Sequence, residues 1–108
     1  MARITALAWQ DERTVARDDV LFRARATAPD SRFLKLVIVN ISAMGLMARC
    51  DDGAREGERI TIALPVVGMI DAHVRWALGG RIGCELASPI ALADYYELLA
   101  RMIADERR

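Results

Sequence analysis

A chain of 108 residues is long enough to bury one real hydrophobic core but too short for two domains. Hydrophobic residues make up 54% of the chain, which excludes an intrinsically disordered protein. Because 15 basic and 15 acidic residues balance, no overall charge favours nucleic acid or an anionic membrane.

The N-terminal stretch mixes charged and apolar residues without a sustained period. We therefore predict a flexible arm over residues 1–18 and one domain over residues 19–108. The arm lacks the apolar core of a signal peptide, and no run in the chain approaches the ~20 apolar residues needed to span a bilayer. Cys50 and Cys84 fall on predicted inward strand positions, so buried free thiols are expected. These features predict a cytoplasmic protein without membrane insertion.

Six stretches alternate apolar and polar residues as half-buried strands do. They run from about Asp19 to Thr27, Arg32 to Ile41, Gly45 to Cys50, Arg59 to Leu64, Val67 to Leu78, and Arg81 to Leu86. Pro65 is expected to end the fourth strand, and Gly79-Gly80 predicts a tight hairpin after the fifth. Short strands at this spacing predict a small six-stranded antiparallel β-barrel, a mainly β fold.

The period changes at Ser88-Pro89, where serine is a good helix N-cap and proline suits the first helical position. Apolar residues then recur at three- and four-residue steps as far as about Ala104: Leu92, Tyr95, Tyr96, Leu99, Met102 and Ile103. The sequence therefore predicts an amphipathic C-terminal helix packed on the barrel.

Catalytic and metal-binding patterns are missing from the sequence. The only histidine, His73, lies inside a predicted strand with no nucleophile placed beside it by a known motif. Ser42 lacks the context of a nucleophilic serine, and the acidic residues do not have metal-ligand spacing. We expect a binding protein, neither an enzyme nor a metalloprotein.

A break between the second and third strands has the residues of a binding site. Asn40 and Ser42 are two residues apart, so in an extended backbone their side chains share one face. Gly45 follows, and we expect it to turn the chain tightly and to leave space that a Cβ would fill. This pattern favours close approach of a planar or anionic ligand.

Two arginines precede the first strand. Arg13 and Arg17 lie on one face if the segment is helical. If it is extended, their Cα atoms are roughly 13 Å apart, so each could grip a separate phosphate or base edge. Ion pairs with Asp11 or Glu12 are the alternative, and the surplus of arginine over lysine has a bland explanation in genome composition.

The combination of RxxxR at residues 13–17, a predicted six-stranded barrel and NxSxxG at residues 40–45 resembles the PilZ domain family. Gly57, Val74-Arg75-Trp76 and Gly83-Cys84-Glu85-Leu86 are also similar to that family, so the resemblance covers about residues 11–103. It implies a split barrel with a C-terminal helix that binds cyclic di-GMP, a bacterial second messenger, and needs no cofactor.

The resemblance also implies roles for particular residues. Arg13 and Arg17 are expected to contact phosphate and guanine. Asn40 and Ser42 are expected to line the base pocket, and Gly45 matches the turn glycine.

Two further positions could contact the ligand, and one residue departs from the family pattern. Some family members place an aromatic residue near Trp76 against a base, although the alternation puts Trp76 in the inward set and leaves a core role open. Arg75, on the other face, could reach the ligand instead. Glu12 stands where some members carry another arginine and bind a stacked ligand pair, so one ligand per domain is expected.

The sequence is compatible with three functions. The leading one is a monomeric cyclic di-GMP receptor whose arm orders on binding and creates a surface for a downstream protein. The alternative is a PilZ-like protein-interaction module with weak or no nucleotide binding, using Ile4, Leu7 and Trp9 with Tyr95 and Tyr96 of the helix. A nucleic-acid-binding barrel is disfavoured by the zero net charge.

Overall fold

Six antiparallel strands and one helix make up most of residues 17–106, the range that the computed structural model describes. The elements are β1 (Asp18–Thr27), β2 (Phe33–Ile41), β3 (Gly45–Arg49), β4 (Arg59–Leu64), β5 (Gly68–Leu78), β6 (Arg81–Leu86) and α1 (Leu92–Glu106). The strands close into a barrel in the order β1-β2-β3-β6-β5-β4. The predicted six-stranded antiparallel barrel with a C-terminal helix is confirmed. Residues 1–16, which make up most of the predicted arm, lie outside the described residues.

The barrel closes around the inward side chains of the alternating strands. Leu36, Ile38 and Ile62 are each at most 1% exposed, as expected for residues on the inner face of a small barrel. Gly79 and Gly80 have φ angles of 61° and 78°, and two successive positive values are what a two-residue turn between β5 and β6 requires. The Gly-Gly hairpin signal was therefore correct.

A bulge in β5 breaks the alternation at one functionally important point. Val74 pairs with Cys84 and Trp76 pairs with Gly83, so Arg75 is an extra residue in β5. Val74 is 1% exposed, whereas Trp76 is 39% exposed. Placing Trp76 in the inward set was wrong, because strict alternation does not continue through a bulge.

The start of the helix also differs from the sequence-based expectation. Helix α1 begins at Leu92, and Ser88-Pro89 lies in a non-helical segment before it. Ile90 is buried, and its N–H donates to the carbonyl oxygen of Ala43 at 2.8 Å. This hydrogen bond fixes the segment against the β2–β3 turn, which delays the helix despite the favourable Ser-Pro pair.

One side of α1 packs on the barrel through Tyr95, Leu98 and Met102, which are at most 5% exposed. Other members of the predicted apolar face remain in solvent: Leu92 is 63% exposed, Tyr96 61% and Ile103 37%. The buried side of the helix is therefore narrower than the apolar pattern indicated.

Tyr95 ties the helix to the first two strands. Its hydroxyl oxygen lies 2.6 Å from Oδ2 of Asp18 and 2.9 Å from the carbonyl oxygen of Ile41. Burial, followed by the hydrogen bond to Asp18 and its negative charge, raises the pKa of Tyr95 above its ordinary value. Since Tyr95 is 5% exposed, it is a core anchor and does not belong to the helix contact surface suggested for the interaction module.

Candidate functional site

A groove of about 290 Å³ lies on the outer surface where β3, β6 and β5 run side by side. It is lined by Arg17, Met44, Gly45, Leu46, Met47, Arg75, Trp76, Gly83, Cys84 and Glu85. Four of the site residues predicted from the sequence, Arg17, Gly45, Arg75 and Trp76, therefore line one groove. Arg13 lies outside the described residues.

The barrel fixes Arg17 beside the NxSxxG segment. Asp18, the next residue, pairs across the sheet with Ile41, and Asp19 pairs with Asn40. The hydrogen bond from the Tyr95 hydroxyl to Asp18 holds the start of β1 in this register. The exposed Arg17 therefore emerges where β2 passes into the turn, which brings together two motifs that are far apart in the sequence.

The turn itself is built by Ser42 and Gly45. The N–H of Ser42 donates to the carbonyl oxygen of Gly45 at 2.8 Å, and its Oγ accepts from the N–H of Met44 at 3.2 Å. Ser42 is 5% exposed, so this hydroxyl shapes the turn from within instead of lining the groove.

Gly45 allows two strands to pack closely, and the expectation that it adopts unusual backbone angles was wrong. Its φ angle is not among the positive ones, so unusual backbone angles are not its role. A Cβ at Gly45 would lie 2.6 Å from the carbonyl oxygen of Cys84. The obstruction is therefore the backbone of β6, and the glycine lets β3 approach that strand closely.

Asn40 lies next to the groove, in contact with one of its lining residues, Met47. It pairs with Met47 across β2 and β3, and its Nδ2 is 3.8 Å from the Met47 sulfur. Its Oδ1 is buried and has no hydrogen-bond partner among residues 17–106. A buried acceptor without a partner is destabilising by about 1–3 kcal/mol, so such atoms usually have a functional or structural explanation.

Within the groove, the indole ring of Trp76 packs against Gly83. A Cβ added to Gly83 would overlap the indole Nε1 and Cε2 of Trp76. The ring therefore lies directly on the β6 backbone, held there by the absence of a side chain. Since 39% of Trp76 remains exposed, its accessible part offers a surface on which a planar group could stack.

Arg75 and Glu85 form an ion pair at the edge of the same groove. The Arg75 Nε and a terminal nitrogen lie 2.7 and 2.6 Å from Oε1 of Glu85. Both side chains are more than half exposed, at 60% and 55%. Exposed ion pairs of this kind contribute only about 0–1 kcal/mol, so Arg75 can exchange Glu85 for another anion at little cost.

The two cysteines are buried free thiols, as the strand pattern predicted. Burial, followed by the proximity of Cys50, raises the pKa of the Cys84 thiol to about 12. A thiol that stays protonated at neutral pH is a poor nucleophile and a poor metal ligand. Within residues 17–106, no group of three histidine, cysteine or acidic side chains is placed to hold a metal ion. The described part of the chain also contains no helix that is long and apolar enough to cross a membrane.

The sequence did not identify Met47 and Glu85 as residues of the groove, or Tyr95 as the residue that holds the start of β1. Glu85 lies on the outer face of β6 by simple alternation, so its position was readable from the sequence. Its pairing with Arg75 was not, because it depends on the register of β5 against β6. Tyr95 was placed on the apolar helix face and in the contact surface of the alternative interaction module, and its hydrogen bond to Asp18 was not predicted.

Comparison with known proteins identifies the fold. Neither a protein-family model nor a curated protein matches the sequence. Among solved structures, the PilZ domain of CeSA from a cellulose-synthesising bacterium matches with a TM-score of 0.58 and 13% identity, covering 84% of this chain and 98% of that chain. The PilZ domain of YcgR from Escherichia coli, determined with c-di-GMP, matches with a TM-score of 0.58 and 15% identity over 85% of this chain and 89% of that one.

A third neighbour is the inhibitor of motility MotI/DgrA of Bacillus subtilis. It matches with a TM-score of 0.53 and 24% identity, covering 84% of this chain but 49% of that one. The described barrel and helix therefore have a PilZ-like fold, and the recognition made from the sequence motifs is confirmed at the level of the fold.

Proposed function

We propose that this protein is a receptor for cyclic di-GMP and that the nucleotide binds in the groove formed by β3, β5 and β6. The observation that carries the proposal is the convergence of Arg17 and Gly45, from separate motifs, on one groove. The PilZ-like neighbour YcgR, determined with c-di-GMP, supports the choice of ligand. The role is binding, and the bacterial cytoplasm is the proposed location.

Arginine chemistry suits the two phosphates and two guanines of this ligand. Arg17 at the groove would grip a phosphate through charge-assisted, bidentate hydrogen bonds. Arg75 would exchange Glu85 for a phosphate oxygen or for the O6/N7 edge of guanine. One base would stack on the exposed part of Trp76, whose ring packs against Gly83.

Asn40 and Ser42 would support the base from behind the groove. The unpaired Oδ1 of Asn40 is an acceptor suited to a guanine N–H, and we propose that a shift of the neighbouring Met47 side chain gives the ligand access to it. The Ser42 hydroxyl would act mainly by keeping the turn in shape for Gly45. The proposal thus gives these two residues different roles, a direct contact and a positioning function.

Arg13 completes the proposed site. We propose that residues 1–16, which carry Arg13, close over the groove when the ligand binds and present a new surface to a downstream protein. Glu12 would place a negative charge beside any additional phosphates, so the expected stoichiometry is one nucleotide per chain.

Isothermal titration calorimetry with cyclic di-GMP tests the proposal. Removal of the guanidinium in Arg17→Ala should weaken binding by about 1.5–3 kcal/mol, the scale of hydrogen bonds to a charged group. The matched control is Arg101→Ala, since Arg101 is also an exposed arginine but lies on the helix, away from the groove. Absence of heat with the unaltered protein at micromolar concentration would reject the receptor function.

A protein-interaction module remains the second candidate, and the exposed helix face favours it. Leu92 and Tyr96 are 63% and 61% exposed and lie four residues apart, so they share one side of α1. Under this alternative, a partner would bind with the same affinity with and without nucleotide, and Arg17→Ala would not change that affinity.

A further inference from the structure

Five cationic side chains share the outer face of four neighbouring strands. They are Arg23 and Arg25 on β1, Lys35 on β2, Arg49 on β3 and Arg81 on β6, and each is exposed. Arg25 lies directly opposite Lys35, and Arg49 lies directly opposite Arg81. We call this set the basic face.

The arrangement is unfavourable for the isolated barrel. Like charges directly opposite each other on one face of a sheet destabilise the pairing, and the basic face contains two such pairs. Among residues 17–106, none of the five forms an ion pair. By contrast, Arg32, Arg59 and Arg75 elsewhere on the barrel each bind a carboxylate.

Two carboxylates beside the basic face accept backbone hydrogen bonds. Asp52 accepts the backbone N–H of Lys35 at 2.7 Å, and Glu106 accepts the backbone N–H of Leu21 at 3.1 Å. Glu106, with its neighbour Asp105, borders a depression that also includes Arg23 and Arg49. The acidic groups therefore edge the basic face without pairing its charges.

Three arginines and two apolar residues form one row across the barrel. The pairing register places Leu78, Arg81, Arg49, Val37 and Arg23 in line over β5, β6, β3, β2 and β1. With strands 4.7–4.9 Å apart, the row extends about 19 Å along the surface. Leu78, at one end, is 80% exposed. A binding partner for this row needs both negative charge and aliphatic groups.

We propose that the basic face binds an acidic segment of a partner protein that carries both carboxylates and aliphatic side chains. Arginine is enriched at protein interfaces, where lysine and glutamate are depleted, and the row contains arginine without lysine or glutamate. Single-stranded nucleic acid is usually held by aromatic stacking, and the row offers aliphatic groups in the corresponding places. Charge complementarity supplies the steering and the specificity.

The basic face adjoins the nucleotide groove. Arg49 follows Met47 by two positions on β3, and Arg81 precedes Gly83 by two positions on β6, a separation of about 7 Å along each strand. A partner on the basic face would therefore extend to the edge of the groove. The interaction does not itself require the nucleotide, so it is tested without it.

The test uses fluorescence anisotropy of a fluorescein-labelled peptide of alternating glutamate and leucine, titrated with the full chain. Arg49→Glu should weaken binding by about tenfold or more, because one attraction becomes a repulsion. The same substitution converts the like-charge pair with Arg81 into an opposite-charge pair, so Tm should rise by about 1–5 °C. If Arg49→Glu binds the peptide more weakly but has a higher Tm, the lost affinity cannot be due to unfolding.

The control is Arg101→Glu, which makes the same charge change on the helix and should leave peptide affinity unchanged. The proposal is wrong if the unaltered protein does not bind the peptide, or if Arg101→Glu weakens binding as much as Arg49→Glu. It is also wrong if a single-stranded oligonucleotide or phosphatidylserine vesicles bind more tightly than the peptide with the same dependence on Arg49. Failure here leaves calorimetry with cyclic di-GMP as a separate test of the receptor function.

Discussion

The contact between Trp76 and Gly83 makes a quantitative prediction about a single methyl group. Gly83→Ala would place a Cβ where the indole now lies, since the three atoms nearest to that position all belong to Trp76. Because the ring is a side chain, it can move away, and the backbone of β6 need not. The expected response is displacement of the indole with the barrel intact.

The size of the effect follows from the area of the contact. Trp76 is 39% exposed, and tryptophan side chains bury about 150–250 Å², so roughly 120 Å² of this ring is covered. At about 25 cal/mol per Å², that area contributes ~3 kcal/mol, and lifting the ring off Gly83 would forfeit about half. Replacing glycine by alanine also stabilises the folded protein by about 0.4–1 kcal/mol, because it lowers the conformational entropy of the unfolded chain. The net prediction is a loss of about 0.5–1 kcal/mol in the free energy of unfolding.

A double-mutant cycle isolates the contact. In a Trp76→Ala background the obstruction is gone, so Gly83→Ala should stabilise the protein by about 0.4–1 kcal/mol. The sign of the substitution therefore reverses between the two backgrounds. Urea denaturation followed by circular dichroism measures both free energies. A destabilisation of equal size in both backgrounds would refute the reasoning, because the methyl group would then clash with something other than the indole.

Three further predictions concern the anchor, the ion pair and the buried thiol. Tyr95→Phe should lower the free energy of unfolding by about 1.5–3 kcal/mol in urea denaturation, since it removes a hydrogen bond to the charged Asp18, whereas Tyr96→Phe on the exposed side should change it by less than about 0.5 kcal/mol. Glu85→Gln should tighten cyclic di-GMP binding in calorimetry, because it removes the charge that competes for Arg75; unchanged or weaker affinity would show that Arg75 does not exchange partners. Because the pKa of Cys84 is raised from 9.0 to about 12, its contribution to stability is complete below pH 9 and is lost as the pH rises towards 12. Urea denaturation at pH 8 and at higher pH should show a steeper decline than in Cys84→Ala, and equal slopes would contradict the assignment.

Much of the fold was predictable because local signals and long-range packing agree. Apolar alternation defined all six strands, and Pro65 and Gly79-Gly80 marked their limits as predicted. The errors arose where a contact distant in sequence overrides the local pattern. The bulge at Arg75 turns Trp76 outward, and the hydrogen bond from Ile90 to Ala43 postpones the helix.

The sequence predicted several residues of the site but not the contacts between them. The motifs supplied Arg17 and Gly45, which the barrel brings to one groove. The reason for Gly45 was not predictable, because its neighbour, the carbonyl of Cys84, lies on a strand that is distant in the sequence. The pairing of Arg75 with Glu85 likewise depends on cross-strand register. The proposed ligand contact of Asn40, the positioning role of Ser42 and any contact of Arg13 stay predictions.

Tryptophan fluorescence at the groove tests the central claim most directly. The chain has two tryptophans, so Trp9→Phe leaves Trp76 as the only reporter. We expect a saturable change in Trp76 emission on titration with cyclic di-GMP, one nucleotide per chain, and loss of that change in Trp9→Phe/Arg17→Ala. Binding heat in calorimetry without any response from Trp76 would place the nucleotide elsewhere and contradict the groove as its site.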